Sequence, residues 1–213
     1  MRLTAERLAA RRGEDLIFDD LSFDLASGET LILTGRNGSG KSTLLRVAAG
    51  LLHAERGRVT FTDRTGTPRP PAEVSHYLGH RNAMKQELTV AENLSFWKAY
   101  LDDAEGETRP IEAAADAVGL GGITHLPFGY LSAGQQRRFA VAKLLLAHRP
   151  VWILDEPTAA LDDNAGRLFA NLVADHLNKG GIVLAATHQP LGLANAKEMR
   201  MKWFASVGKG IWE

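Results

Sequence analysis

Nine residues, GRNGSGKST from Gly35 to Thr43, constrain this 213-residue chain more than any other feature. They fit the phosphate-loop pattern G-x-x-x-x-G-K-[ST]. The apolar run Leu31 to Thr34 precedes them. Residues 42 to 52 follow with Leu44, Leu45, Val47, Ala48, Leu51 and Leu52 spaced to cover a broad helix face. Strand, glycine-rich turn and helix in that order place a helix N-terminus against the turn. Gly38 and Gly40 let the backbone curl until the N–H groups of Arg36, Asn37, Ser39 and their neighbours converge on one anion. The helix dipole favours the same anion. Lys41 brings a full charge to β- and γ-phosphates, and the Ser42 hydroxyl is suited to Mg²⁺. A glycine-rich turn with a chance lysine would need neither the strand before it nor the helix after it.

Downstream, VWILDEP runs from Val151 to Pro157. A buried strand that ends in two carboxylates is unfavourable unless they face a cation or a reacting water. Asp155 is placed to hold Mg²⁺ through its water shell, because that ion keeps several waters and takes one or two carboxylates. Glu156 is the candidate base for the attacking water. A solvated pair at a strand end is the alternative, and the phosphate loop upstream weighs against it.

Short apolar strands alternate with helical patterns along the chain. Arg58 to Thr62 is a short strand, and Thr65 to Pro71 is a Pro/Gly/Thr loop. Residues 90 to 101, 110 to 119, 134 to 147 and 163 to 178 have helical spacing, while Val151 to Leu154 and Ile182 to Ala186 are buried strands. Gly180-Gly181 ends the last of those helices. The expected fold is α/β: a mostly parallel sheet flanked by helices, with a helical lobe inserted over about residues 85 to 148. Met199 to Val207 alternates like an edge strand.

Composition narrows the class further. Lys plus Arg and Asp plus Glu are 25 each, so the chain lacks the basic excess of a nucleic-acid binder. With no cysteine, it has no disulfide framework, thiolate zinc site or iron–sulfur cluster. No apolar run approaches the 18 or so residues of a spanning helix. The acidic Gly-Glu-Asp-Leu after Arg11-Arg12 argues against a twin-arginine export signal. One domain over residues 1–213, on the cytoplasmic side, is the expectation.

LSAGQQRR, Leu131 to Arg138, has two readings from its residues alone. Ser132 can be an ordinary N-cap with Gln135 to Arg138 on a solvated face, or Ser-x-Gly can present its hydroxyl and a helix N-terminus to a phosphate.

Phosphate loop, acidic strand end and LSAGQ, in this order and spacing, resemble the ATP-binding subunits of ABC transporters. The resemblance covers essentially the whole chain, and LSAGQ departs from the family's LSGGQ at Ala133 alone. It implies a RecA-like parallel core with an N-terminal antiparallel β part. It also implies ATP and Mg²⁺ as ligands, and a head-to-tail homodimer. Ser132, Ala133, Gly134 and Gln135 would then act in trans on the partner's nucleotide. Asp162 in Ala160-Leu161-Asp162 matches the family's D-loop. His188 in ATHQ, 33 residues past Asp155, matches the histidine that senses the γ-phosphate, although a lone histidine after a strand is more often just a strand-end residue.

Two positions depart from the family pattern. Arg12 stands where an aromatic residue stacks on adenine; a guanidinium can take that role, or Arg11 and Arg12 are simply exposed. His80, ending the strand His76 to His80, stands where a glutamine contacts Mg²⁺ and water, with Gln86 six residues on too distant to replace it. The segment Arg81 to Tyr100 would form the groove for a membrane subunit's coupling helix. Phe96, Trp97 and Tyr100 fit either that groove or, for at least two of them, the helix core.

His80, LSAGQQRR and the ATHQ ending further resemble the haem-exporter ATP-binding subunits of cytochrome c maturation. That branch implies integral membrane partners of the same system and a peripheral place on the cytoplasmic face of the bacterial inner membrane. An ABC subunit moving lipoproteins or small solutes is the alternative. A soluble ABC ATPase acting on DNA or ribosomes is more remote, since the chain has one set of motifs and no sustained heptads.

Overall fold

A computed structural model describes residues 1–101, 109–188, 191–193 and 195–202. Two sheets and a helical lobe make up the fold. The first sheet is antiparallel, in the order β2 (Asp15–Ala26), β1 (Arg2–Arg12), β4 (Arg56–Thr62) and β5 (Pro68–Arg69). The second is parallel, in the order β6 (Ser75–Leu78), β7 (Val151–Asp155), β8 (Ile182–Ala186), β3 (Thr30–Thr34) and β9 (Lys197–Arg200).

The parallel sheet is covered on both faces, which is why β7 and β8 are apolar runs without polar alternation. Val151, Ile153, Ile182 and Leu184 point to a core shared with the antiparallel sheet and helix α1 (Lys41–Ala48). Trp152, Leu154, Val183 and Ala185 point to the other core, built with the lobe. That second core takes residues from α3 (Val90–Leu101), α4 (Ile111–Ala117), α5 (Ala133–Ala142) and α6 (Asp163–Asn178). Between residues 85 and 148 the described residues contain no strand, only an isolated bridge from Thr89 to Pro127. The four-residue helix α2 (Pro71–Val74) follows β5, so the expected loop from Thr65 to Pro71 holds a short strand and runs into a helix start.

Several expected boundaries move, each for a local reason. Helix α1 stops at Ala48 rather than Leu52, because Gly50 takes a left-handed φ of 69° and turns the chain away. Leu51 and Leu52 are consequently exposed, at 60% and 41%. Helix α5 gives way after Ala142 to a 3₁₀ turn, Lys143–Leu145. Strand β6 ends at Leu78, two residues short of His80. The edge strand near the C-terminus is Lys197–Arg200, and the expected continuation to Val207 lies outside the described residues beyond Lys202. Phe96 and Tyr100 correct the expectation of a helix-core role: they are 61% and 69% exposed, because α3 turns Val90, Asn93, Leu94 and Leu101 inward instead.

Candidate nucleotide site

Strand β3 delivers the glycine loop to the C-terminal edge of the parallel sheet, and α1 starts directly from it at Lys41. Gly40 has a φ of 92°, and a Cβ there would collide with Ile17, so glycine is required on two counts. The loop closes on itself through Lys41. Its side chain is 8% exposed, and its ammonium donates to the carbonyl oxygens of Gly35 (2.8 Å) and Arg36 (3.2 Å). Beside it opens a cleft of about 340 Å³, lined among others by Arg12, Ile17, Asn37, Ser42, Asp155 and Glu156.

The acidic strand end is folded tightly under this cleft. Asp155 is 4% exposed. Glu156 leaves the sheet with a φ of 48°, a conformation costly for a residue with a side chain. The turn is fixed by its own N–H donating to the carbonyl of Ala186 on β8 (2.8 Å). Its carboxylate then meets His188. The His188 main-chain N–H donates to Oε2 (3.4 Å), and the ring Nε2 lies 3.4 Å from Oε1. The same Nε2 is 3.2 Å from Asn37 Oδ1 in the glycine loop. Three motifs far apart in sequence therefore meet within one hydrogen-bonded group. Its oxygens suit a magnesium–phosphate: the Ser42 hydroxyl and the Asp155 carboxylate both line the cleft. Among the described residues no cluster of three or more ligating side chains could hold a metal by itself. Such a sparse donor set fits Mg²⁺, which completes its octahedron with water and phosphate oxygens.

Other candidates lie elsewhere. His80 is exposed and lines a second cleft, between β6 and α3, rather than the one at the glycine loop. Gln86 packs against α5, the signature helix that opens with LSAGQ, its Oε1 3.5 Å from Gln136 Nε2. Asp162 caps α6 by accepting the Ala165 N–H (2.8 Å). Ser132 caps α5 in a reciprocal box: its hydroxyl accepts the Gln135 N–H (3.2 Å), while Gln135 Oε1 accepts the Ser132 N–H (2.9 Å). Ser132 and Ala133 are exposed and are not among the residues that line the cleft at the chain's own glycine loop. Arg12 lines the cleft and, among the described residues, pairs with nothing, whereas Arg11 pairs with Glu55 (3.1 Å) and donates to the Glu14 carbonyl.

Arg137 is the residue that one of the two readings of LSAGQQRR puts on a solvated face. It is 4% exposed and donates to the carbonyl oxygens of Gly79 (2.9 Å), Asp155 (3.1 Å), Glu156 (2.7 Å) and Pro157 (3.1 Å). The signature helix, the acidic strand end and the exit of β6 are thereby tied to one guanidinium. A signal was present: Arg137, Ala140, Val141 and Leu144 follow the i, i+3, i+4, i+7 spacing of a buried stripe.

A phosphate loop, an acidic strand end and a histidine gathered at the edge of a parallel sheet define a phosphate-loop ATPase. The family is set by comparison with known proteins. The ABC transporter family model matches residues 18–159. The cytochrome c biogenesis ATP-binding export protein CcmA of Rhizobium johnstonii is 69% identical over 100% of both chains. The proteins of the same name from Agrobacterium fabrum and Brucella abortus are 66% and 53% identical, over 97% and 92% of this chain and 98% and 89% of theirs. An ABC transporter ATP-binding protein from Pyrococcus furiosus superposes with a TM-score of 0.78 at 19% identity, covering 94% of this chain and 98% of that one. A bacterial ABC transporter cassette solved as a dimer gives 0.73 at 21% identity, covering 88% of each chain. The chain belongs to the ABC transporter family of ATP-binding subunits and is an ABC-type ATPase.

Proposed function

We propose that this chain is the ATP-hydrolysing subunit of an export system for cytochrome c biogenesis. It works as a pair of identical cassettes on integral membrane subunits, at the cytoplasmic face of the bacterial inner membrane. The observation that carries the reading is the joining of glycine loop, Glu156 and His188 in one hydrogen-bonded cluster. Full-length likeness to the CcmA proteins supplies the export system. No helix among the described residues is long and apolar enough to cross a membrane, in keeping with separate membrane subunits.

In this reading residues Gly35 to Thr43 enclose the phosphates, with Lys41 neutralising the β- and γ-oxygens. Ser42 and, through water, Asp155 hold Mg²⁺, which supplies charge neutralisation to the transferring phosphoryl group when bound. Glu156 orients the attacking water, and His188 links that carboxylate to the γ-phosphate. Arg12 stacks on the base. Ser132, Ala133 and Gly134 present a helix N-terminus to the nucleotide of the second copy. The Ser132 hydroxyl accepts one bond within its own capping box and keeps its proton to donate across the interface. Gln135 shapes that turn rather than touching phosphate. Asp162 positions the start of α6 beside the interface, and His80 lies with the membrane-facing cleft. Haem, or a chaperone loaded with it, is met by the membrane subunits.

Purification of the native membrane complex, with mass spectrometric identification of its subunits, tests this reading. Cytochrome c biogenesis membrane proteins at stoichiometric yield are the expected result. Components of a lipoprotein or small-solute transporter in their place would overturn it.

A further inference from the structure

Among the described residues Tyr130 is the most exposed large apolar side chain, at 83%. Single exposed aromatics are common on protein surfaces and by themselves need no explanation. The place of this one sets it apart. It closes the 3₁₀ turn Phe128–Tyr130, from which Leu131 (φ −82°, ψ 147°) and Ser132 (φ −60°, ψ 157°) continue in extended conformation. Side chains alternate along extended backbone, so residues two apart share a face. Leu131 is 7% exposed and points inward, while Tyr130 and Ser132 both face outward.

The turn is held from two sides. Its Gly129 N–H donates to the Gln86 carbonyl (2.9 Å), and the Gln136 amide on α5 donates to the carbonyls of Phe128 (3.1 Å) and Leu131 (3.2 Å). The Tyr130 ring thus stands on a fixed support, and its side chain makes no hydrogen bond or ring contact with another described residue.

The face shared with Ser132 is the one that meets the second copy's nucleotide in the function proposed above, and the inference rests on that reading. Two extended residues span up to about 7 Å, and the long tyrosine side chain adds to that reach. The opposite wall decides what the ring meets. The cleft at the glycine loop is lined by Arg12 and Ile17 but, among the described residues, by no aromatic ring. In an occupied cleft the flat π-surface open to Tyr130 is the purine base.

We propose that Tyr130 stacks on the base of the nucleotide held by the second copy, supplying across the pair the aromatic face that the chain's own cleft lacks. Arg12 meets the base from the copy that binds it, and Tyr130 closes over it when the two copies come together. Recognition of the base is then shared between two chains, and the pair holds the nucleotide more tightly than a single copy does.

An azido-ATP with its photoreactive group on the purine tests this with full-length chains. Isotopically heavy Lys41→Ala chains are mixed with light Ser132→Arg chains, so that the working site combines the light chain's glycine loop with the heavy chain's LSAGQ turn. The expected result is restored hydrolysis of the probe, with label near Arg12 on the light chain and at Tyr130 on the heavy chain. Restored hydrolysis with label on the light chain alone would overturn the stacking and leave the paired reading standing. No hydrolysis on mixing and no label on the heavy chain would overturn both. In otherwise unsubstituted chains, Tyr130→Ala should raise the half-saturating ATP concentration for hydrolysis about fivefold or more, and Tyr130→Phe, which keeps the ring, should restore it. Inhibition by inorganic tripolyphosphate, which has no base, should not move. A parallel loss for tripolyphosphate, or no loss for ATP, would overturn the stacking.

Discussion

The glycine loop and the LSAGQ turn both open a helix, yet the fold encloses only one of these two N-termini. The loop is enclosed: Lys41 is nearly buried, and a cleft lies beside it with carboxylates and a histidine already in place. The signature turn is open, with Ser132 and Ala133 exposed and the capping box answered from within its own helix. Identical local physics thus gives a pocket in one place and a flat face in the other. The difference is the surrounding sheet. Strand ends wall in the loop, whereas α5 meets the end of β7 through buried Arg137 and leaves Ser132 and Ala133 at the surface. In the proposed function the chain carries both halves of a nucleotide site, and a second copy brings them together.

The largest effect that would break this contrast comes from Glu156. Glu156→Gln should lower steady-state hydrolysis by about 10²–10⁴-fold while nucleotide affinity stays within a factor of a few. Unchanged turnover would remove Glu156 from the chemistry. Next comes a mixing experiment. Lys41→Ala and Ser132→Arg chains, each inactive alone, should regain part of the hydrolysis when combined, because a mixed pair carries one intact site. No recovery on mixing would mean that the two halves do not act across a dimer. Third is the connection between the regions. Arg137→Met leaves four carbonyl oxygens without their donor and should cost about 2–5 kcal/mol in denaturant unfolding. A loss below about 0.5 kcal/mol would show that the tie carries little stability.

Acid should loosen the sheet side of the lobe. His76 is buried in β6 with Nε2 2.8 Å from the Ala147 carbonyl, and burial lowers its pKa to about 3. His176, stacked on Trp152 at 4.1 Å, is lowered to about 4 by the same cause. In the unfolded chain both titrate near 6.5. Stability is therefore complete above about pH 6.5 and declines as the pH falls toward 4 and 3, by up to about 1.4 kcal/mol per pH unit for each ring. Unfolding midpoints measured from pH 7 to 4 should drop, and His76→Gln should flatten the fall. The smallest effect belongs to Arg12. Arg12→Ala should weaken ATP binding by about threefold to fivefold, the worth of an exposed stacking cation, with hydrolysis at saturation unchanged.

How much of this was legible in the sequence follows the same division. The glycine loop, the acidic strand end and the strands beneath them are local patterns, and β7, β8 and α6 fall where their apolar spacing puts them. Of the antiparallel sheet, β4 is read from its residues but β1 and β2 are not. Strands β1 and β2 are bulged, with register shifts between Ala5 and Leu8 and between Leu8 and Ala10, so Leu3, Ala5, Leu8, Ala9 and Ala10 face inward without a steady alternation. Residues whose meaning depends on tertiary neighbours are also hidden. Arg137 looks like any helix arginine until the strand end folds beneath it. Phe96 and Tyr100 look like core until α3 is seen to bury its other side.

Arg137 has one further consequence. Its hydrogen bonds to Gly79, Asp155, Glu156 and Pro157 all end on neutral main-chain oxygens, and its planar guanidinium cannot stretch between them. The acceptors lie on the exit of β6, the end of β7 and the turn that follows it, so none of these segments can part from α5 without giving up a bond to the same guanidinium.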